Sequence, residues 1–95
     1  MAKISSVMKE ISGYINMDKE ALFQKGVQSL LKEKKRALLL ERLKILDRYK
    51  VSSKKDFEKK LEKGEIAEHP GWEDIIVLEN LEEEQKKIDE YIQSI

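Results

Sequence analysis

The residues with the best potential for chemistry surround His69, the only histidine in the chain. Glu65, Glu68, Glu73 and Asp74 lie close to it in sequence, and one histidine with two carboxylates can bind a metal ion. None of the usual ligand spacings, such as the H-E-x-x-H motif, is present. We therefore interpret His69 as a connector residue and the acids after it as first-turn residues that a helix dipole favours. The sequence predicts no metal site and no cofactor.

The serines give no better case for catalysis. None of the seven serines lies in a G-x-S-x-G context, and any catalytic triad would have to use the single histidine. The chain has no cysteine nucleophile, and it has no glycine-rich loop that could bind phosphates. We predict that the protein is not an enzyme.

Basic residues in the middle of the chain raise nucleic-acid binding as an alternative, because phosphate contacts need clustered lysine and arginine side chains. Acidic residues are interleaved with them, which is typical of a solvated, ion-paired helix surface. Few aromatic residues are available for base stacking. The basic residues are Lys32, Lys34, Lys35, Arg36, Arg42, Lys44, Arg48, Lys50, Lys54, Lys55, Lys59, Lys60 and Lys63.

The zero net charge of the chain conceals a strong asymmetry between its two parts. Residues 1–63 carry 17 Lys/Arg and 9 Asp/Glu, whereas residues 64–95 carry 2 Lys and 10 Asp/Glu. Parts of opposite charge attract each other. The sequence leaves open whether they meet within one chain or between two chains.

Apolar residues at helical spacing predict four helices that would position these groups. Ile4, Val7, Met8 and Ile11 step by three and four along a helix over about residues 3–15. Asp18 is a good N-cap for a second helix over about residues 19–49. A helix of that length would extend roughly 46 Å at 1.5 Å per residue. This is too long for a compact monomer, so it predicts a helical hairpin or a dimer.

Two shorter signals predict the remaining helices. Ser53 resembles the start of a capping box for a helix over about residues 54–63, with Asp56 in place of the usual glutamate. Proline suits the first turn of a helix, which predicts a last helix over about residues 70–93. Between them we predict a structural elbow, in which a glycine closes one helix and a tryptophan fills the bend. Its residues are Gly64, Ile66, Pro70 and Trp72.

The last helix carries apolar residues at heptad spacing. From Leu78 to Ile95 they step alternately by three and four, which is the pattern of a coiled-coil seam, and Gln85 is its only polar member. The long helix presents a matching apolar face. We predict that these two faces form a packing interface, in the same chain or in a second copy. The predicted interface residues are Val27, Leu31, Leu38, Leu39, Ile45, Leu46, Leu78, Leu81, Gln85, Ile88 and Ile92.

The composition restricts the class of protein further. Charged residues make up 40% of the chain, and glycine and proline together contribute only five residues, which favours helices over sheets. No segment approaches the ~20 apolar residues of a membrane span, and the helix over residues 3–15 lacks the basic face of a membrane-surface helix. We expect a cytoplasmic protein with no membrane contact. Heavy use of lysine and glutamate is typical of thermophile proteins.

The last two thirds of the chain resemble a group of small, largely uncharacterised helical proteins of archaea and bacteria. The resemblance rests on DRYKV at 47–51, FEKKL at 57–61 and, most specifically, GEIAEHPGWEDIIVLENL at 64–81. Some proteins of this group look like the antitoxin members of toxin–antitoxin pairs. The resemblance implies a cytoplasmic protein that holds a toxin-like partner through helical packing, and it carries over no catalytic residue.

Together these observations predict an all-α protein with a single domain over residues 1–95. It is a helical hairpin or bundle with one long central helix and a heptad-patterned last helix, and we expect it to form a homo-oligomer, most simply a dimer. The predicted function is protein–protein interaction through apolar helical stripes, with an antitoxin-like role as its sharper form. The alternative is a nucleic-acid-binding accessory protein that uses the basic middle region.

Overall fold

The computed structural model describes residues 2–95 and contains helices throughout, with no strand in that range. The helices are α1 (Ala2–Ile15), α2 (Lys19–Arg48), α3 (Lys54–Glu62) and α4 (Glu68–Ser94). This confirms the predicted all-α class with one long central helix, since α2 has 30 residues.

Side-chain caps fix the starts of α2 and α3. The Asp18 carboxylate accepts a hydrogen bond from the Ala21 backbone N–H at 2.8 Å. The Ser53 hydroxyl accepts one from the Asp56 N–H at 3.1 Å, and the Asp56 carboxylate in turn accepts from the Ser52 N–H at 3.0 Å. These bonds satisfy N–H groups that have no partner within the first turn. The chain therefore breaks where short polar residues offer such caps.

The start of α4 differs from the predicted helix start at Pro70. His69 has φ −118° and ψ 118°, and Pro70 has φ −90° and ψ 16°, so the regular part of the helix begins at Gly71. A residue before proline is pushed into extended geometry by the proline ring. Gly64, with φ +75°, adopts the left-handed conformation just after α3 and turns the chain toward this segment.

Helices α2 and α4 form an antiparallel hairpin. Arg48 faces Asp74 at one end, and the Gln24 side chain donates a hydrogen bond to the carbonyl oxygen of Ile95 at the other. Helix α3 packs against the first turns of α4 and covers only that end of the hairpin. The molecule is therefore a rod of 61 × 23 × 19 Å.

The core lies where three helices meet, at the end of the rod that contains α3. Phe57 and Leu78 are completely buried at its centre. The Tyr49 ring packs on the Phe57 ring with 4.4 Å between their centroids. The other buried members of this cluster are Ile45, Leu46, Val51, Leu61 and Ile75.

The sequence predicts that Trp72 fills the bend between α3 and α4, but the structure shows that it does not. It remains 47% exposed, whereas the neighbouring Gly71 is buried. A Cβ atom at Gly71 would lie 2.7 Å from Cδ2 of Leu61 and 3.4 Å from Cγ2 of Ile66. The bend is thus closed by direct approach of a leucine to a glycine backbone, which turns Trp72 outward.

None of the helices in residues 2–95 has the length and apolar character that crossing a membrane requires.

The packing predicts that Phe57, rather than Trp72, supports the fold. Phe57→Ala should lower the free energy of unfolding by about 3–5 kcal/mol, because it leaves a cavity at the centre of the core. Trp72→Ala should cost about 1 kcal/mol or less, since much of that ring is already in water. Urea denaturation followed by circular dichroism measures both. If Phe57→Ala does not fold, Phe57→Leu should show a smaller loss in the same direction. A larger loss for Trp72→Ala than for the Phe57 variants would contradict this packing.

Candidate functional site

Most of the residues predicted as an interface lie between α2 and α4 of the same chain. Leu38, Ile45, Leu46, Leu78 and Ile88 are buried there, and Leu81, Gln85 and Ile92 are half-buried. Leu39 is 40% exposed at the edge of this contact. Val27 and Leu31 lie farther toward the start of α2 and are half-buried beside an open surface.

The charged parts of the chain meet along the same contact. Lys35 Nζ lies 2.6 Å from Asp89 Oδ1, and Arg42 Nε lies 3.4 Å from Glu82 Oε1. At the end of the rod that contains α3, Lys54 pairs with Glu79 of α4, with 3.4 Å between Nζ and Oε1. In this structure the basic and acidic parts therefore pair within one chain, which the sequence left open.

An open apolar groove lies between α1 and the first half of α2. We call it the α1–α2 groove. Its volume is about 400 Å³. Its lining is almost entirely aliphatic or aromatic and comprises Met8, Ile11, Leu22, Phe23, Gly26, Val27 and Leu30.

The groove continues in both directions along the rod. Through Met8 it joins a depression of about 320 Å³ that also contains Ile4 and Val7. Through Leu30 it joins a depression of about 490 Å³ that runs past Leu31 to Ala37. The three depressions follow one another along α1 and along α2 as far as Ala37, and we call this surface the apolar strip. Its lining is mainly apolar, with Lys3, Glu33 and Lys34 in the two outer depressions.

The side chains of this strip are strongly exposed. Ile4, Phe23 and Leu30 have 63%, 65% and 67% of their surfaces in water, and Val7 and Ile11 are nearly half exposed. Single exposed apolar residues are common on soluble proteins, but contiguous apolar patches of this kind mark interaction sites.

Helix α1 depends on this groove for its few tertiary contacts. Isolated helices shorter than about 12–15 residues are marginal in water, and α1 has 14 residues. The turn that joins it to α2 is fixed by Asn16 in the left-handed conformation and by a hydrogen bond from the Ser12 hydroxyl to the Met17 carbonyl oxygen. Beyond this turn, only one side of α1 lies on α2, and most of its apolar stripe faces solvent.

The rim of the groove has almost no charge imbalance. Residues 2–34 carry six lysines and four acidic residues, and no ion pair is present within this described segment. Four acidic residues of α4 pair with α2 and α3 instead: Asp74, Glu79, Glu82 and Asp89. The groove is therefore suited to an apolar contact and not to a strongly charged ligand.

A second, smaller apolar surface lies at the other end of the rod. Trp72, Ile76 and Val77 project from the first turns of α4 with 47%, 56% and 45% of their surfaces exposed. They form an exposed apolar patch that is separate from the α1–α2 groove.

The titratable residues near the bend are engaged in structural contacts. His69 Nδ1 lies 2.8 Å from Glu73 Oε1, one helical turn away. No group of three His, Asp or Glu side chains within residues 2–95 is arranged to hold a metal ion. The Tyr49 hydroxyl donates a hydrogen bond to Asp74, whose carboxylate also lies 3.3 Å from Arg48 Nη1.

Two pKa values are shifted in this region. Partial burial, together with the Asp74 carboxylate that accepts the phenolic hydrogen, raises the pKa of Tyr49, and the effect of Arg48 in the opposite direction is smaller. For Lys54, burial lowers the pKa, but the nearby Glu79 and Glu58 carboxylates together outweigh this effect and raise it. Both shifts follow from contacts that hold α2, α3 and α4 together.

The apolar stripe of α1 is visible in the sequence, but its residues are not among the predicted interface residues. Met8, Ile11, Phe23 and Leu30 line the groove together with one predicted interface residue, Val27, and Leu31 lies in the adjoining depression. The relevant signal in the sequence is that three apolar stripes, on α1, α2 and α4, compete for one thin core. The stripe on α1, the shortest of these three helices, remains largely uncovered.

Comparison with known proteins gives a family match without a function. The whole chain, residues 1–95, matches the family described as the Uncharacterized protein MJ0235 family. No curated protein and no solved structure matches the chain.

The raised pKa of Tyr49 predicts a loss of stability at alkaline pH. A group whose pKa is higher in the folded state stabilises the fold below its unfolded-state pKa, about 10 for tyrosine, and loses this contribution as the pH rises further. Tyr49→Phe should lower the free energy of unfolding by about 1 kcal/mol at pH 7, since it removes one hydrogen bond. Above pH ~10, the free energy of unfolding of the variant should fall less steeply than that of the unmodified protein. Urea midpoints measured at neutral and alkaline pH test this. Because Lys54 is present in both proteins, the difference between their free energies of unfolding reports on Tyr49 alone. If the two free energies show the same dependence on pH, the raised pKa of Tyr49 is contradicted.

Proposed function

We propose that this chain, which belongs to the MJ0235 family, is a protein–protein interaction module that binds its partner through the α1–α2 groove. The observation that carries the proposal is the apolar strip, which includes the exposed Ile4, Phe23 and Leu30. Leaving such side chains in water forgoes roughly 25 cal/mol for each Å² that could be buried. A partner that covers the strip would recover this free energy.

The form of the groove suits an amphipathic helix as its ligand. Such helices insert apolar side chains at spacings of three and four into grooves between two helices. Gly26 lies in the groove, and an added Cβ atom there would meet nothing within 4 Å. A side chain of the partner helix can therefore reach the α2 backbone at this point.

The arrangement gives little support to catalysis. An active site normally combines an enclosed pocket with titratable groups whose pKa values are shifted for the reaction. The resolved shifts belong to Tyr49 and Lys54, which hold helices together, and the groove itself contains almost no polar side chain. We therefore propose binding and not reaction chemistry as the role of this surface.

An antitoxin-like role is the sharper form of the proposal. It rests on the sequence resemblance over residues 47–81 and on the exposed, weakly held α1, which can adjust its position against a partner. In this form the partner would be the product of the adjacent reading frame. The groove segment, residues 2–34, has nearly balanced charges and an apolar lining, so the contact with that partner would be mainly apolar.

Coexpression with the adjacent gene product tests this form. The two proteins should coelute from a size-exclusion column, and Leu30→Glu should abolish coelution because it places a charge in the apolar strip. Leu40→Glu is the matched control, since it changes the same residue type on the same helix at 52% exposure but outside the groove. Coelution that survives Leu30→Glu, or that Leu40→Glu abolishes equally, would argue against the groove.

One observation favours nucleic-acid binding as a second candidate function. Lys55, Lys59 and Lys63 are exposed, they lie four residues apart on and just after α3, and the described structure gives none of them an ion pair. They form a short basic face, which could contact neighbouring phosphates.

Titration with duplex DNA at two salt concentrations tests this candidate. If the chain is a protein–protein interaction module, its dissociation constant for duplex DNA should lie no lower than the non-specific range of about 10⁻⁴ to 10⁻⁶ M at physiological salt. If the basic face binds DNA, Lys55→Glu/Lys59→Glu should weaken binding and reduce the salt slope by about one for each lysine. Tight binding that this double variant abolishes would favour the second candidate.

A further inference from the structure

We infer that the α1–α2 groove binds a second copy of this chain, so that the first two helices of each protomer form a homodimer interface. The inference rests on the proposed function and names the partner of the same surface. It is carried by the charge distribution, the apolar area, the weak attachment of α1 and the open space at Gly26.

The charge distribution favours a second copy over a charged partner. Residues 35–63 carry eleven basic and five acidic residues, and four of the basic ones pair with acidic residues of α4 within the chain: Lys35, Arg42, Arg48 and Lys54. The groove segment, residues 2–34, is left with six lysines and four acidic residues. Two such segments can meet without strong repulsion, and each offers both signs of charge to the other. A symmetric contact requires this kind of self-complementary rim.

The exposed apolar area is of the size that a dimer needs. Each partner in a standard protein interface contributes about 800 Å². Six large apolar side chains of α1 and the first half of α2 are each exposed over two fifths to two thirds of their surface, and together they can supply much of this contact. They are Ile4, Val7, Ile11, Ile15, Phe23 and Leu30.

The shape of the single chain points in the same direction. Its Cα radius of gyration is 20.0 Å, whereas a compact domain of this length has about 12 Å. At the end that contains α3, three helices enclose a core, but at the other end α1 covers only part of α2. A second copy would place its own α1 and α2 against the groove at this open end and cover the apolar side chains there.

We expect the second copy to approach the α2 backbone most closely at Gly26. A glycine inside a helix costs about 0.5–1 kcal/mol relative to alanine, and nothing in the single chain fills the space above it. Side chains on either side of it, Phe23 and Leu30, leave a hole on the α2 surface. An apolar side chain of the second copy can occupy this hole in the manner of a coiled-coil knob.

Sedimentation equilibrium over a wide concentration range tests the inference on the full chain. The unmodified protein should be a dimer, and Leu30→Glu should raise its dissociation constant at least ~30-fold, as expected for a central interface residue. Gly26→Leu should raise it as well, although it makes the surface more apolar, because it fills the hole. Leu40→Glu should leave the dissociation constant unchanged. Circular dichroism should show that each variant is still helical.

The remaining outcomes separate this inference from the proposed function. A dimer that Leu30→Glu and Gly26→Leu leave intact, or that Gly26→Leu strengthens, would overturn the contact through the groove. A monomer that binds the dye anilinonaphthalenesulfonate, with binding lost in Leu30→Glu but kept in Leu40→Glu, would overturn the second copy and leave the groove open for another partner. A monomer whose dye binding does not respond to Leu30→Glu would overturn both.

Discussion

The rest of the structure depends on the antiparallel contact between α2 and α4. Its centre is apolar, with Leu38, Ile45, Leu78 and Ile88 buried between the helices, and its edges carry the ion pairs of Lys35 and Arg42 with α4. Partly exposed ion pairs of this kind contribute little free energy, typically 0–1 kcal/mol each. Their larger effect is on orientation, because the opposite charges match only when α4 runs back along α2. The apolar faces then provide most of the stability of the pairing.

This pairing also decides which surfaces are left for partners. One side of α2 is taken by α4, and α3 thickens the hairpin only near Phe57 and Leu61. At the opposite end of α2, the end of α4 lies on one side and the short α1 on another, and Phe23 and Leu30 stay largely in water. The charge asymmetry of the sequence is partly compensated within the chain, by four ion pairs that join α2 and α3 to α4. The α1–α2 groove itself is nearly neutral and apolar, which restricts the kind of partner that fits it.

Much of the fold could be predicted from local signals, because helix starts depend on nearby residues. The caps at Asp18 and Ser53 and the apolar spacing of the helices act over one or two turns. The roles of Trp72 and Gly71 could not be predicted, since they depend on the path of the chain around Pro70 and on the approach of Leu61. The groove was missed for a related reason. An apolar stripe such as that of α1 shows that one face of the helix is suited to burial. It carries no information about which surface packs against that face.

The weak attachment of α1 links folding to association. A helix of this length gains most of its stability from tertiary packing, and here the single chain packs only one of its sides. Any molecule that covers the groove therefore stabilises α1 itself, by an amount that grows with the concentration of that molecule. When the molecule is a second copy, the helical order of α1 becomes a function of the protein's own concentration. The two ends of the rod then behave differently: the end around Phe57 is stable in the single chain, whereas the end around Gly26 acquires its full packing only in a complex.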